Sequence, residues 1–179
     1  MRVVPETARG RALALVGVVI VLVAASTARL FVWAPTDRAA PVAAVVALGG
    51  DPGQRRAHQA LALASSGMAP VAVISLGGRR PVPCPRPVGG VQVICFRAMP
   101  LDTRGEAEYV AALAARRHWK RLIVVSERSQ STRARMLFKR CTTAQVLMIP
   151  VSDPWTHLPY DLAYEWGALA KALLVHRSC

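Results

Sequence analysis

Arginines and carboxylates recur at a few turn-like positions in this chain, a combination suited to holding an anion beside a proton carrier. Gly49-Gly50-Asp51 ends one apolar run and Gly77-Gly78-Arg79-Arg80 ends another. Ser126-Glu127-Arg128-Ser129-Gln130 ends a third, with Arg133 one helical turn further on. Asp102-Thr103-Arg104-Gly105-Glu106 opens a helical pattern. Guanidinium groups bind phosphate and carboxylate through parallel N–H donors, and N–H groups at glycine turns and helix starts serve the same end. Arg56, Arg104 and Arg133 are the expected anion holders, with Gly49, Gly50 and Gly77 letting backbone approach the ligand. Ser75, Thr103, Ser126 and Gln130 complete the expected lining, and Glu106 and Asp51 are the carboxyls able to move protons.

Each position also has a plainer reading. Paired glycines after a strand make tight turns, and their spacing here is not the dinucleotide fingerprint, so no cofactor is assigned. Asp102 or Thr103 ahead of Glu106 fits a capping box. Arg133 fits a solvated helix residue. Arg56, in the first turn of a helix, opposes the helix dipole and has the weakest structural explanation. His58, His118, His157 and His176 avoid the ends of the apolar runs and read as surface or interface residues. No Cys-x-x-Cys or Cys/His spacing supports a metal site.

The elements that must position these residues alternate strand with helix. Apolar runs at 43–48, 71–76, 91–96, 122–126 and 145–149 have the length and composition of strands buried on both faces. Helical spacing covers 54–66, closed by Gly67, then 104–117, 129–139 and 158–175. This order predicts an α/β fold: a Rossmann-like, doubly wound, mainly parallel five-stranded sheet. In such sheets ligands bind beyond the carboxyl ends of the strands, where the unusual residues fall.

Ahead of the domain, residues 12–26 carry no charge, and 27–35 continue as an apolar, aromatic border broken only by Arg29. About twenty apolar residues cross a bilayer, so 12–33 reads as one N-terminal transmembrane helix. Residues 1–11 form a short cytoplasmic N-terminus, 34–41 a linker and 42–179 an extracytoplasmic domain. Arg2, Arg9 and Arg11 orient the N-terminus inside. A basic start, a short apolar core and the small residues Ala24 to Ala28 also fit a cleaved secretory signal. Both readings export the domain.

The chain carries a net charge of +13. Residues 1–38 hold five arginines against Glu6 and Asp37, leaving +3 there and +10 in the domain. Outside the cell such charge faces anionic phospholipid head groups, a phosphorylated lipid carrier, wall polymers or another anionic small molecule. Nucleic acid does not fit, because the basic residues are not interleaved with aromatics as a stacking surface requires. Protein partners are not specified. Four cysteines in an exported domain read as two disulfides, and Cys84–Cys95 with Cys141–Cys179 is the preferred pairing among three.

The order of these motifs resembles the YdcF/SanA/ElyC-type envelope proteins, a domain family of unknown function. Leu48-Gly49-Gly50, Arg56 eleven residues ahead of Gly67, Ala69-Pro70 and Ile74-Ser75-x-Gly77 carry the first part. Thr103-Arg104-Gly105-Glu106-Ala107 resembles the family's Thr-x-x-Glu motif. Val124-Val125-Ser126 followed by Arg133-Ala134 resembles its third segment, and the similarity spans residues 42–150. Cys95-Phe96 and Arg140-Cys141 look like an actinobacterial branch. The resemblance implies a Rossmann-like domain behind one membrane anchor, acting in peptidoglycan or lipid-carrier metabolism. One departure stands out: Gln130 occupies the place of the family's histidine and Glu127 that of its serine. Glutamine cannot act as a general acid or base near neutral pH. Either another carboxyl moves protons here, or the protein binds without turnover, as a binding or scaffold protein or as an assembly partner of other membrane proteins.

Overall fold

The computed structural model describes residues 6–51, 54–77 and 83–179. Five parallel strands, β1 (Ala44–Ala47), β2 (Val71–Ser75), β3 (Gln92–Phe96), β4 (Arg121–Val125) and β5 (Gln145–Met148), form one sheet in the order β3-β2-β1-β4-β5. Every residue of β1 and β2 is buried, which is why these strands read as unbroken apolar runs. The order turns back between β1 and β4, the place where open α/β sheets leave a crevice at their carboxyl edge.

Alternation along β1 sends its side chains to two cores. Val45 and Ala47 face α2 (Arg55–Leu63), whose Ala57, Ala60, Leu61 and following Ala64 form one buried stripe. Ala44, Val46 and Leu48 face α3 (Thr103–Arg116) and α4 (Ser131–Cys141), through Ala107, Val110, Leu137 and Phe138. Helices therefore cover both faces, as the sequence pattern predicts. The helix after β1 ends in a wider turn, Ala64–Met68, with Gly67 at φ 87°. The last helix, α5 (Leu158–Leu174), packs on α4.

The helix predicted at 129–139 begins two residues later. Ser129 is tied by its N–H and hydroxyl to the Asp153 carboxylate, and Ser131 N–H closes a turn on Arg128. Both disulfides of the preferred pairing are present: Cys84–Cys95 joins the β2–β3 connection to β3, and Cys141–Cys179 ties the end of α4 to the last residue. Gly78, Arg79 and Arg80, like Arg2, lie outside the described residues.

The N-terminal helix α1 (Glu6–Thr27) runs on through a wider turn, Ala28–Val32. Residues Gly10–Val32 are long and apolar enough to cross a membrane. The carboxyl-terminal end of this helix is docked on the domain. Phe31 is fully buried edge-on against Trp166, whose indole N–H donates to Thr27 Oγ1 at 3.0 Å. Thr132 Oγ1 donates to the Leu30 carbonyl. The stretch read as a linker is tied down too: Asp37 pairs with Arg135 at 2.7 Å and accepts from Met148 N–H at 2.8 Å.

Candidate functional site

A cleft of about 460 Å³ opens at the carboxyl edge of the sheet. The β1 and β2 ends supply Gly49, Gly50 and Gly77, and the first turn of α3 supplies Thr103 and Glu106. The turn into α4 adds Glu127, Gln130 and Arg133, α2 adds Arg56, and α5 adds Tyr160, Asp161, Tyr164 and Glu165.

Arg56 sits at the centre and is 3% exposed. Its Nη1 donates to Gln130 Oε1 at 2.9 Å. Its Nε is buried without a hydrogen-bond partner among the described residues and lies 3.9 Å from Asp51 Oδ2. A buried guanidinium N–H without a hydrogen-bond acceptor costs on the order of 1–3 kcal/mol or more, which the 3.9 Å ion pair with Asp51 offsets only in part. Asp51 makes the arginines at the start of α2 tolerable. Its carboxylate accepts from Arg56 N–H at 3.0 Å and lies 3.7 Å from Arg55 Nε, offsetting the cations placed against the helix dipole. Asp51 thus braces Arg55 and Arg56 from behind and is absent from the walls of the large cleft.

Glu106 does not complete the expected capping box. Asp102 is the cap of α3, accepting from Gly105 N–H at 2.9 Å, so the box position falls on Gly105. A Cβ there would run into the Pro100 backbone, which leaves glycine as the residue that fits. Glu106, one place further, is released to reach across to β1, where its Oε1 accepts from Gly49 N–H at 2.6 Å. Burial pushes its carboxyl above the ordinary glutamate range, opposed by hydrogen bonds from Ser75 and Gly49 and by the charges of Arg56 and Arg133. A carboxyl whose pKa is raised in this way keeps its proton to higher pH than an ordinary glutamate.

The glycines line the cleft, yet their N–H groups are not a free anion cradle. Gly49 N–H is held by Glu106, Gly50 N–H donates to the Gly77 carbonyl at 2.5 Å, and Gly77 N–H approaches Ser75 Oγ at 3.3 Å. Their role is close packing: a Cβ on Gly49 would lie 2.6 to 2.8 Å from the Gly77 backbone.

Gln130 bridges the two sides of the cleft. Its Oε1 accepts from Arg56 and its Nε2 donates to Thr103 Oγ1 at 2.9 Å, leaving the Thr103 hydroxyl proton for another acceptor. Arg133 is held by Glu165 through two parallel bonds, Nε to Oε2 at 2.8 Å and Nη2 to Oε1 at 2.7 Å. Burial works against the Arg133 charge, but the Glu165 bonds prevail and raise its pKa. Glu127 pairs with Arg55 at 2.7 Å, and its carboxyl too is pushed up by burial, against the Arg56 charge.

Ser75, bonded to Glu106, lies behind the cleft wall as Asp51 does, and two further expected residues stand apart from this group. Arg104 turns outward, donating from Nε to Glu108 at 2.7 Å and meeting His176 Nδ1 at 3.2 Å. Glu108, one turn along the helix surface, draws it away from the cleft. Ser126 is fully buried beneath the cleft, bonded to Ser131 Oγ and the Glu127 carbonyl, where it shapes the turn into α4. Sequence reasoning missed Glu165, Asp161 and the two tyrosines. Glu165 had one visible signal, a carboxylate set between two aromatic residues in the middle of a mostly apolar helix. Among the described residues no three His, Cys, Asp or Glu side chains come together as metal ligands.

No protein-family model, no curated protein and no solved structure matches this chain. The reading of the cleft therefore rests on its own geometry.

Proposed function

We propose that this chain is a single-pass membrane protein of the cell envelope, N-terminus inside, whose Rossmann-like domain binds a phosphate-type or other anionic ligand at the strand ends. The strand order 3-2-1-4-5 supports the Rossmann-like reading. The apolar helix and the two disulfides support an exported, membrane-tethered domain. The observation that carries the ligand class is the Arg56 guanidinium, buried in the cleft wall beside Glu106, whose Nε makes no hydrogen bond and has only the 3.9 Å ion pair with Asp51. Three of the four other cleft carboxylates are already engaged: Glu165 and Glu127 are paired with Arg133 and Arg55, and Asp102 caps α3, which leaves Asp161 as the one that opposes an anion. With Glu106 as proton donor and Arg56 as holder, the chemistry is that of an enzyme acting on an anionic ester. The resemblance to YdcF/SanA/ElyC-type proteins supports a place in peptidoglycan or lipid-carrier metabolism. A second reading, a binding or scaffold protein without turnover, is favoured by Gln130, which is engaged on both sides as a strut where proton transfer would call for a histidine.

Thermal unfolding of the full chain in detergent tests the ligand class. The panel holds phosphate, nucleotides, S-adenosylmethionine, sugar phosphates and short polyprenyl phosphates. One anionic chemotype raises Tm by several degrees, and Arg56→Gln abolishes the shift. A flat panel, or a shift that survives Arg56→Gln, overturns the anion site. Turnover of the stabilising ligand that is lost in Glu106→Gln supports the enzyme, and binding with no turnover leaves the scaffold.

A further inference from the structure

The outward side of α5 is an uncovered apolar helix face. Tyr160, Ala163, Gly167, Ala170 and Leu174 follow one another around its outer arc and none is charged. Tyr160 is 72% exposed and Leu174 67%. The acids of this helix lie on the other side: Glu165 is buried against Arg133, and Asp161 lines the cleft. Lys171 is the one charged side chain near the outer arc, at its edge.

Two contacts say where this face lies. Trp166, on the flank of the arc, is the residue that holds the outer end of the apolar span, through Thr27 Oγ1 and the Phe31 ring. On the neighbouring helix Thr132, next to Arg133 of the cleft, holds the Leu30 carbonyl. The last turn of the span is thus docked on α4 and α5, the two helices that carry Arg133 and Glu165 of the cleft, with Trp33 exposed beside it. A helix with an apolar face, aromatic flanks and a lysine at its margin is the pattern of one lying in a lipid interface, and a lysine there extends its ammonium to anionic head groups.

We infer that the outer face of α5 lies in the head-group region of the bilayer entered by α1, covered by lipid and not by a second protein. This rests on the membrane-anchor reading above. It sets the cleft rim, where the stacked rings of Tyr160 and Tyr164 stand 6.4 Å apart, at the level of the lipid head groups. A ligand then reaches Arg56 and Glu106 from the membrane surface.

Site-specific photocrosslinking of the full chain in vesicles of phosphatidylethanolamine and phosphatidylglycerol tests this. The probe p-benzoylphenylalanine replaces Leu174, Ile20 or Lys120 in separate preparations. Ile20 lies in the middle of the span, and Lys120 is exposed at the opposite edge of the sheet, just before β4. Lipid adducts at Ile20 and Leu174, at least tenfold above Lys120, are the expected result. Adducts at Ile20 without adducts at Leu174 overturn the inference and keep the anchor. A covalent dimer through Leu174 overturns it in favour of a second copy. Absence of lipid adducts at Ile20 removes the anchor itself.

Discussion

Two buried glutamates face one cleft from opposite walls, and their surroundings differ in kind. Glu165, 4% exposed on α5, meets Arg133 with two charge-assisted bonds. Glu106, 5% exposed on α3, has a backbone N–H and a serine hydroxyl for neighbours and arginines only at longer range. The first arrangement settles a charge and so joins α4 to α5. The second penalises the charge, so the carboxyl keeps its proton to higher pH than an ordinary glutamate. Equal burial therefore makes a clamp on one wall and, on the other, a carboxyl that keeps its proton to higher pH. What separates them is whether a guanidinium lies within bonding distance.

The largest effect that separates the walls falls on the clamp. Glu165→Ala leaves the Arg133 guanidinium buried without its counter-charge, and breaking a buried pair in this way costs about 3–5 kcal/mol. Thermal unfolding of the full chain in detergent should show a large drop in Tm, and a loss below about 1 kcal/mol would mean that Arg133 finds another partner. On the other wall Gly49→Ala presses a methyl group into the Gly77 backbone and shifts the strand end that holds Glu106. Such overpacking costs about 1–3 kcal/mol. If Tm stays unchanged, the two strand ends have room to part.

The contrast was only half legible in the sequence. The five strands were readable because strands buried on both faces are continuous apolar runs, and observed boundaries fall within a residue or so of 43–48 or 122–126. Two disulfides followed from export and an even cysteine count, and the pairing preferred among three is the one present. Positions at strand ends pointed to Gly49, Arg56, Thr103, Glu106, Gln130 and Arg133, which the fold gathers around one cleft. Side-chain direction was not readable. Arg104 is next to Thr103 in sequence, yet 100° further round the helix it belongs to Glu108. The capping-box pattern promised Glu106 to its own helix end, but the cap begins at Asp102, which sends Glu106 to another strand. Glu165 lies 59 residues beyond Glu106 in sequence, and no local pattern announces a partner for Arg133.

A smaller effect sharpens the boundary between the walls. Gln130 spans them, and Gln130→Ala removes one bond to Arg56 and one to Thr103. Net hydrogen-bond contributions of about 0.5–1.5 kcal/mol each set the scale of the lost stability. The ligand-induced Tm shift should fall by more than the basal Tm does, because Arg56 loses the strut that aims it. Equal falls would make Gln130 a packing residue alone.

The smallest and most specific effect concerns Glu106 itself. Its folded pKa is raised above the unfolded value of 4.5, so the folded state holds the proton more tightly than the unfolded chain does. That contribution to stability is fully present below pH 4.5 and is lost as pH rises through the folded pKa. Glu106→Gln keeps an oxygen for the Gly49 N–H and an amide group for the Ser75 hydroxyl, and has no proton to lose. Near pH 4.5 the variant should unfold close to the parent. Above that pH the difference in Tm should move steadily in favour of the variant, until the parent carboxyl is fully ionised. A difference that stays flat with pH would mean that Glu106 is ionised as readily as an exposed glutamate, with the nearby arginines outweighing burial. The two walls would then be alike, each a charge settled by an arginine, and the proton-donor role proposed for Glu106 would fall.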